Sequence, residues 1–203
     1  MSYSQLGQDL KCVEFFDAKM NGYFVDIGAH NGIDLSNTYL LEKDYDWKGI
    51  CVEPNKQVFE KLIENRKCIC KNVGIYDKKG EVEFSIIDGY HEMLSGITED
   101  INHHKGIVEK ESKTIKINTI TFTELLDECK APSIMDFLSL DTEGSELKIL
   151  KSLDHNKYKF LYMTIEHNYT PLRHEIKDYL ISKNYEYVGG NRHDDIYKLK
   201  SNV

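Results

Sequence analysis

The chain has 203 residues, 40% hydrophobic and 30% charged, with 34 acidic against 26 basic side chains and a net charge of −8. That length and composition suit one globular domain spanning residues 1–203, and the acidity excludes a broad nucleic-acid contact face, which needs clustered Lys and Arg. No apolar run approaches the roughly 20 residues of a membrane span, and the start MSYSQLGQDLKC lacks the basic and apolar segments of a secretion signal, so a cytoplasmic location is expected.

The first strand is predicted at Tyr23 to Ile27, followed by a helix over Leu35 to Lys43, a strand over Gly49 to Val52, a helix over Gln57 to Asn65 and a third strand over Cys68 to Val73. The alternation then lapses. EVEFSII and TIKINTITF are strand candidates around a polar stretch, Asp88 to Lys113, which is expected to form an inserted mobile flap because it has too few apolar residues to pack independently. Beyond it come a helix over Phe122 to Glu128, a fully buried strand over Ile134 to Leu140, a short helix over Glu146 to Leu150 and a buried strand over Leu161 to Ile165. Thr170 and Pro171 make a helix start, Thr as cap and Pro in the first turn. Tyr185 to Val188 and Ile196 to Leu199 read as a closing antiparallel pair, separated by Gly189, Gly190, Asn191 and other turn residues. Alternating strands and helices of this kind predict an α/β fold with a mostly parallel sheet.

Five cysteines, Cys12, Cys51, Cys68, Cys70 and Cys129, are odd in number and form no CxxC pair. They read as reduced thiols, not as a metal or redox centre.

YFVDIGAHNG, residues 23–32, places Asp26 and two glycines at a strand-to-helix turn. Gly28 and Gly32 permit close approach of backbone to a ligand, and backbone amides at the following helix start favour an anionic group. Gly28, Ala29, Asn31 and Gly32 are therefore candidates to line a cofactor. A nicotinamide dinucleotide would want glycine at 28, 30 and 33, where the chain has Gly28, His30 and Ile33. In GICVEP, Glu53 ends the next strand, placed to accept hydrogen bonds from both ribose hydroxyls, and Pro54 shapes an adenosine pocket. Asp26 and Glu53 together point to a ribose-bearing cofactor whose other end is not a pyrophosphate. S-adenosylmethionine meets that description.

YSQLGQD at 3–9, VDIGAHNG at 25–32, SNT at 36–38, WKGICVEP at 47–54, SLDTEGSE at 139–146 and IEHN at 165–168 follow one another in an order that resembles the FkbM family of S-adenosylmethionine-dependent methyltransferases over nearly the whole chain. The resemblance implies a seven-stranded Rossmann-like class I methyltransferase fold and O-methylation of a sugar, nucleotide-sugar or glycan hydroxyl. It also implies that Ser36 and Asn37 hold the methionine carboxylate, and that Gln5, Gln8 and Asp9 fold over the cofactor or the substrate. The chain departs from the usual loop at His30, where methyltransferases commonly carry a middle glycine.

The stretch FLSLDTEGSELKIL ends a buried strand and then presents Asp141, Glu143 and Glu146 within six positions. In open α/β sheets ligands bind beyond the carboxyl ends of the strands, so Asp141 and Glu166, at two strand ends, are expected to face one pocket. Asp141 is a candidate to orient the acceptor, take its proton or bind a divalent cation. Glu143, before Gly144, is a further catalytic candidate, while Glu146 suits the helix dipole. By analogy with macrocin-type sugar O-methyltransferases, Asp141, Glu166 and His167 form a possible site for magnesium or manganese. Tyr90, His91, His103, His104, Asn168, Tyr169 and Arg173 are candidates to recognise the acceptor. Two alternatives stand beside this reading: N-methylation of a small molecule, and a non-catalytic cofactor-binding protein of the same fold.

Overall fold

Buried strands with continuous apolar runs order the chain. In the computed structural model, which describes residues 1–101 and 105–201, β1 (Tyr23–Ile27), β2 (Lys48–Val52) and β3 (Ile69–Lys71) pair in parallel, and β8 (Ile134–Leu140) and β9 (Lys159–Glu166) extend the sheet on the other side of β1. The hairpin of β10 (Tyr185–Asn191) and β11 (Asp194–Leu199) closes the edge, β11 running antiparallel to β9. The strand order is β10-β11-β9-β8-β1-β2-β3. Its direction of growth reverses between β1 and β8, and that reversal opens the crevice in which doubly wound folds bind ligands.

Helices cover both faces. Val25, Ile27, Leu138, Leu140, Met163 and Ile165 pack against Leu125 of α5 (Phe122–Glu128), Leu147 and Leu150 of α6 (Glu146–Lys151) and Leu180 of α7 (Leu172–Ser182). On the opposite face Phe24, Phe137 and Tyr162 meet Cys12 of α1 (Gln8–Phe15), Leu41 of α2 (Tyr39–Tyr45) and Leu62 of α3 (Lys56–Asn65). Helices as short as α2 and α6 are marginal on their own. Burial of such side chains, roughly 1.5–3 kcal/mol each, holds them in place. No described helix is long and apolar enough to cross a membrane.

Several local expectations change. The first helix after β1 begins at Tyr39, not Leu35, because residues 33–38 form a turn in which the Ser36 hydroxyl accepts from the backbone N–H of Thr38 and Tyr39. Thr170 precedes α7 but does not cap it; its hydroxyl donates to the His167 carbonyl. Gly189, Gly190 and Asn191 continue β10 past an irregularity, and the hairpin turns at Arg192 and His193. Helix α1 has no counterpart among the sequence expectations.

Between β3 and β8 the chain builds a second sheet, ordered β4-β7-β5-β6, from β4 (Gly74–Tyr76), β5 (Gly80–Ile87), β6 (Gly96–Ile97) and β7 (Ser112–Thr121). The stretch expected to be a flap lies largely within this unit: a 3₁₀ turn over Gly89–Leu94, strand β6 and the helix α4 (Lys105–Glu111). It does carry a small apolar cluster, Ile101 and Val108 against Ile87, with Leu94 and Ile107 alongside. His103 and His104 lie outside the described residues, as do the side chains of Tyr90 and His91.

Candidate active site

A cavity of about 280 Å³ opens at the carboxyl ends of β1, β2, β8 and β9. Its floor is the turn after β1. Gly28 has φ 90°, and a Cβ there would come 1.7 Å from the Asp141 carbonyl oxygen, so only glycine lets β1 and β8 end side by side. The N–H groups of Gly28 and Ala29 both donate to Val52 O. His30, at the position of the usual middle glycine, takes up the left-handed conformation itself, with φ 47°. Its Nε2 lies 3.2 Å from Glu92 Oε1 of the inserted unit, and burial holds its pKa below the ordinary histidine range.

Asp26 is buried at the end of β1 and accepts a 2.6 Å hydrogen bond from Thr38 Oγ1. Burial raises its pKa, against the lowering effect of Thr38, Arg66 and Ser139. Arg66, at the end of α3, ties this corner together. Its guanidinium donates to Glu42 Oε2, the Gly32 carbonyl and Thr38 Oγ1, and its side chain is wholly buried. Asn37 donates to Ser139 Oγ at 3.0 Å, while its Oδ1 is a buried acceptor with no protein partner. Ser36 and Asn37 both line the cavity. An orphan acceptor there suits the ammonium of a cofactor's amino-acid end and not the carboxylate expected from the sequence, since the Asn37 amide nitrogen already donates to Ser139.

Glu53 ends β2 and lines the cavity with Pro54. The Asn55 N–H donates to its Oε1 at 2.7 Å, and burial lifts its pKa to about 7. One carboxylate oxygen is thus fixed by backbone, which orients the other for a ligand. Asn31 and Gly32 depart from expectation, since neither is among the residues lining the cavity. Asn31 caps a turn through Ile33 and Asp34, and Gly32, with φ 82°, packs where a Cβ would strike Leu62 and Arg66.

The acidic cluster forms where β8 and β9 end. One carboxylate oxygen from each of Asp141, Glu143 and Glu166 lies within 4.8 Å of the others. Asp141 opens into the cavity with its side chain accessible there, and the protein packed around it lifts its pKa to about 7, desolvation first and the neighbouring acids second. Glu143, with φ 61°, accepts from Asn168 Nδ2 at 3.1 Å, and its pKa rises to about 9, through burial first and the Asp141 charge second. Glu166 is raised well above the carboxylate range, first by burial and then by Asp141 and Glu143, and its Oε2 has no hydrogen-bond partner. Three carboxylates this close cannot all ionise cheaply without a proton or cation among them.

His167 does not join them. As the residue after Glu166 it points away, its Nδ1 accepting from the Tyr169 N–H and its Nε2 lying 3.6 Å from Asp195. Among the described residues the acidic partner of Asp141 and Glu166 is Glu143. Glu146 is buried and holds the turn, accepting from Thr142 N, Thr142 Oγ1 and Gly144 N. Gln5 and Gln8 line the cavity, Gln8 donating to Asp194 at 2.6 Å. Asp9 is occupied with Ser2, Tyr3 and Ser4 of the N-terminal turn. Arg173 forms a two-pronged pair with Asp195 and does not line the cavity.

The profile of the methyltransferase FkbM domain matches residues 26–187. The chain belongs to this family. As an FkbM methyltransferase it uses S-adenosylmethionine, and the loop, the orphan Asn37 acceptor and Glu53 fit that cofactor. A comparison with curated proteins returned no match. Among solved structures, precorrin-6y C5,15-methyltransferase from Geobacter metallireducens is similar at TM-score 0.50 and 9% identity, over 95% of this chain and 88% of that one. The delta-N METTL16 methyltransferase domain gives 0.50 and 12%, over 95% and 80%, and the N-terminal domain of human METTL16 gives 0.52 and 12%, over 95% and 66%. At such identities the likeness establishes the fold, a class I Rossmann-like methyltransferase.

Sequence reasoning missed several residues of this FkbM site. Thr38 and Arg66 brace the cofactor loop, Glu92, Met93, Leu94 and Ser95 come from the inserted unit, and Asp194 comes from the closing hairpin. The second sheet also supplies apolar lining through Ile75, Phe84, Ile97 and Ile117. Thr38 was within reach, in the SNT motif. Arg66 carried no signal, because an arginine ending an amphipathic helix looks like any solvated one.

Proposed function

We propose that this FkbM methyltransferase transfers the methyl group to a hydroxyl of a sugar or glycan, with Asp141 taking the hydroxyl proton. The observation that carries this reading is the Asp141 carboxylate, opening into the cavity at the end of β8 with its pKa lifted to about 7. A general base works best when its pKa lies near the operating pH, and a hydroxyl, a weak nucleophile until its proton is removed, needs one more than a neutral amine does. That difference favours O-methylation over N-methylation.

When bound, S-adenosylmethionine supplies a methyl group on a positively charged sulfur. The chain does the rest. Glu53 orients the ribose, Asn37 and Ser36 face the amino-acid end, and Gly28 lets the backbone approach. Glu166, its pKa raised first by burial, lies beside Asp141, and Glu143 together with Asn168 shapes the space the acceptor enters.

A second reading is favoured by the approach of three carboxylate oxygens within 4.8 Å. Asp141, Glu143 and Glu166 would hold a hard cation such as magnesium or manganese, which would lower the pKa of an acceptor hydroxyl. Incubation with methyl-labelled S-adenosylmethionine and a panel of sugars and amines, before and after exhaustive chelation, tests both. Label on a sugar oxygen supports the proposal, and label on nitrogen alone contradicts it. Loss of turnover on chelation, restored by magnesium or manganese, selects the cation reading.

A further inference from the structure

Beyond the cofactor loop, the cavity is walled by Gln5 and Gln8 from the N-terminal segment, Glu143 and Asn168 from the loops after β8 and β9, and His193 and Asp194 from the closing hairpin. Two features of this end identify what it accepts. The first is charge. Asp141, Glu143, Glu166 and Asp194 all face it, and no Lys or Arg lines any part of the cavity among the described residues. A phosphate entering here finds carboxyl oxygens and no Lys or Arg to pair with, and whichever of these acids is ionised repels it.

The second feature is the loop after β9. Asn168 and Tyr169 are consecutive non-glycine residues in the left-handed region, with φ 45° and 56°. Such a pair persists only where its surroundings over-determine it, and strain of this kind concentrates at ligand sites. Here the surroundings do so: His193 O accepts from the N–H of His167 at 2.8 Å and of Asn168 at 3.4 Å, and the Tyr169 N–H donates to His167 Nδ1 at 3.0 Å. The result is a tyrosine 62% exposed, its ring held edge to face by His167 and His193 at 5.5 and 5.3 Å. It stands beside two residues of the cavity lining, Asn168 and His193. His193 Nδ1 is itself a buried polar atom without a partner. A rigid aromatic face next to unpaired polar groups matches a molecule with an apolar ring face and a hydroxyl edge.

Resting on the O-methylation reading, we infer that the acceptor enters as an uncharged carbohydrate, one ring face against Tyr169 and its hydroxyls toward Glu143, Asn168 and Asp194, and that sugar phosphates and nucleotide-linked sugars are excluded. The full chain saturated with S-adenosylhomocysteine provides the test, by saturation-transfer NMR and calorimetry with neutral methyl glycosides, glucose 1-phosphate and UDP-glucose as probes. Neutral glycosides should bind, and the two phosphorylated probes should bind more than ~100-fold more weakly. Tyr169→Ala should weaken glycoside binding about tenfold or more with unchanged S-adenosylhomocysteine affinity and Tm, and Tyr169→Trp should restore it. Equal or tighter binding of a phosphorylated probe, an unaffected Tyr169→Ala variant, or no binding of any neutral glycoside overturns the inference. Methyl transfer to a sugar phosphate hydroxyl would overturn it while leaving O-methylation standing, whereas transfer only to amines would remove the reading on which it rests.

Discussion

Asp141 and Glu166 end neighbouring parallel strands, and their carboxylates meet at the cavity with Glu143 close to both. Each has a pKa raised by burial, Asp141 to about 7 and Glu143 to about 9. Between the ordinary carboxylate range and those values the folded chain binds more protons than the unfolded chain, so these groups make stability fall as pH rises through that window. In metal-free buffer, Tm should therefore decline from about pH 5 to about pH 8. Glu143→Gln should flatten that decline. A wild-type and variant profile of the same slope would contradict the assigned repulsion.

Glu53 lines the cavity and is fixed through one oxygen by the Asn55 N–H. Glu53→Ala should weaken binding of S-adenosylmethionine and S-adenosylhomocysteine by about 1–3 kcal/mol, the cost of leaving buried hydrogen-bonding groups unmatched. NAD should not bind the wild type, because the dinucleotide glycine spacing is absent. Calorimetry on the folded variant checks both, and unchanged affinity rejects the ribose role.

Arg66 satisfies Glu42, Gly32 and Thr38 from a wholly buried position. Arg66→Ala removes one partner from a buried charged network, a change worth roughly 3–5 kcal/mol of stability. Denaturant unfolding should show that loss. A variant within experimental error of the wild type would mean that water replaces the guanidinium and that the loop does not depend on it.

The strand ends that build the site were legible because β2, β8 and β9 are apolar runs stopped by Glu53, Asp141 and Glu166, and β1 carries Asp26 one residue before its end. A buried parallel strand has to read that way, and the acid at its end marks where it meets solvent and ligand. That His167 turns away from Glu166 was legible in part, since neighbouring residues of an extended chain face opposite ways and His167 follows Glu166 directly at the end of β9. The inserted sheet was harder. EVEFSII and TIKINTITF are recognisable as strands, but the pairing of β4 with β7 joins residues far apart in sequence, and no local pattern announces it. Arg66 was invisible for a related reason: its importance lies in partners more than twenty positions away, Thr38 and Glu42.

The central claim is that Asp141 is the proton acceptor for methyl transfer, and the rate of label transfer by Asp141→Asn tests it most directly. Asparagine keeps the shape at the end of β8 while removing the charge that accepts a proton. S-adenosylhomocysteine affinity should stay near the wild-type value, and turnover of an identified acceptor at saturating cofactor should fall about 10²–10⁴-fold, the usual worth of a positioned general base. A folded Asp141→Asn variant that transfers the methyl group at the wild-type rate would contradict the account and leave the acidic cluster a purely structural feature.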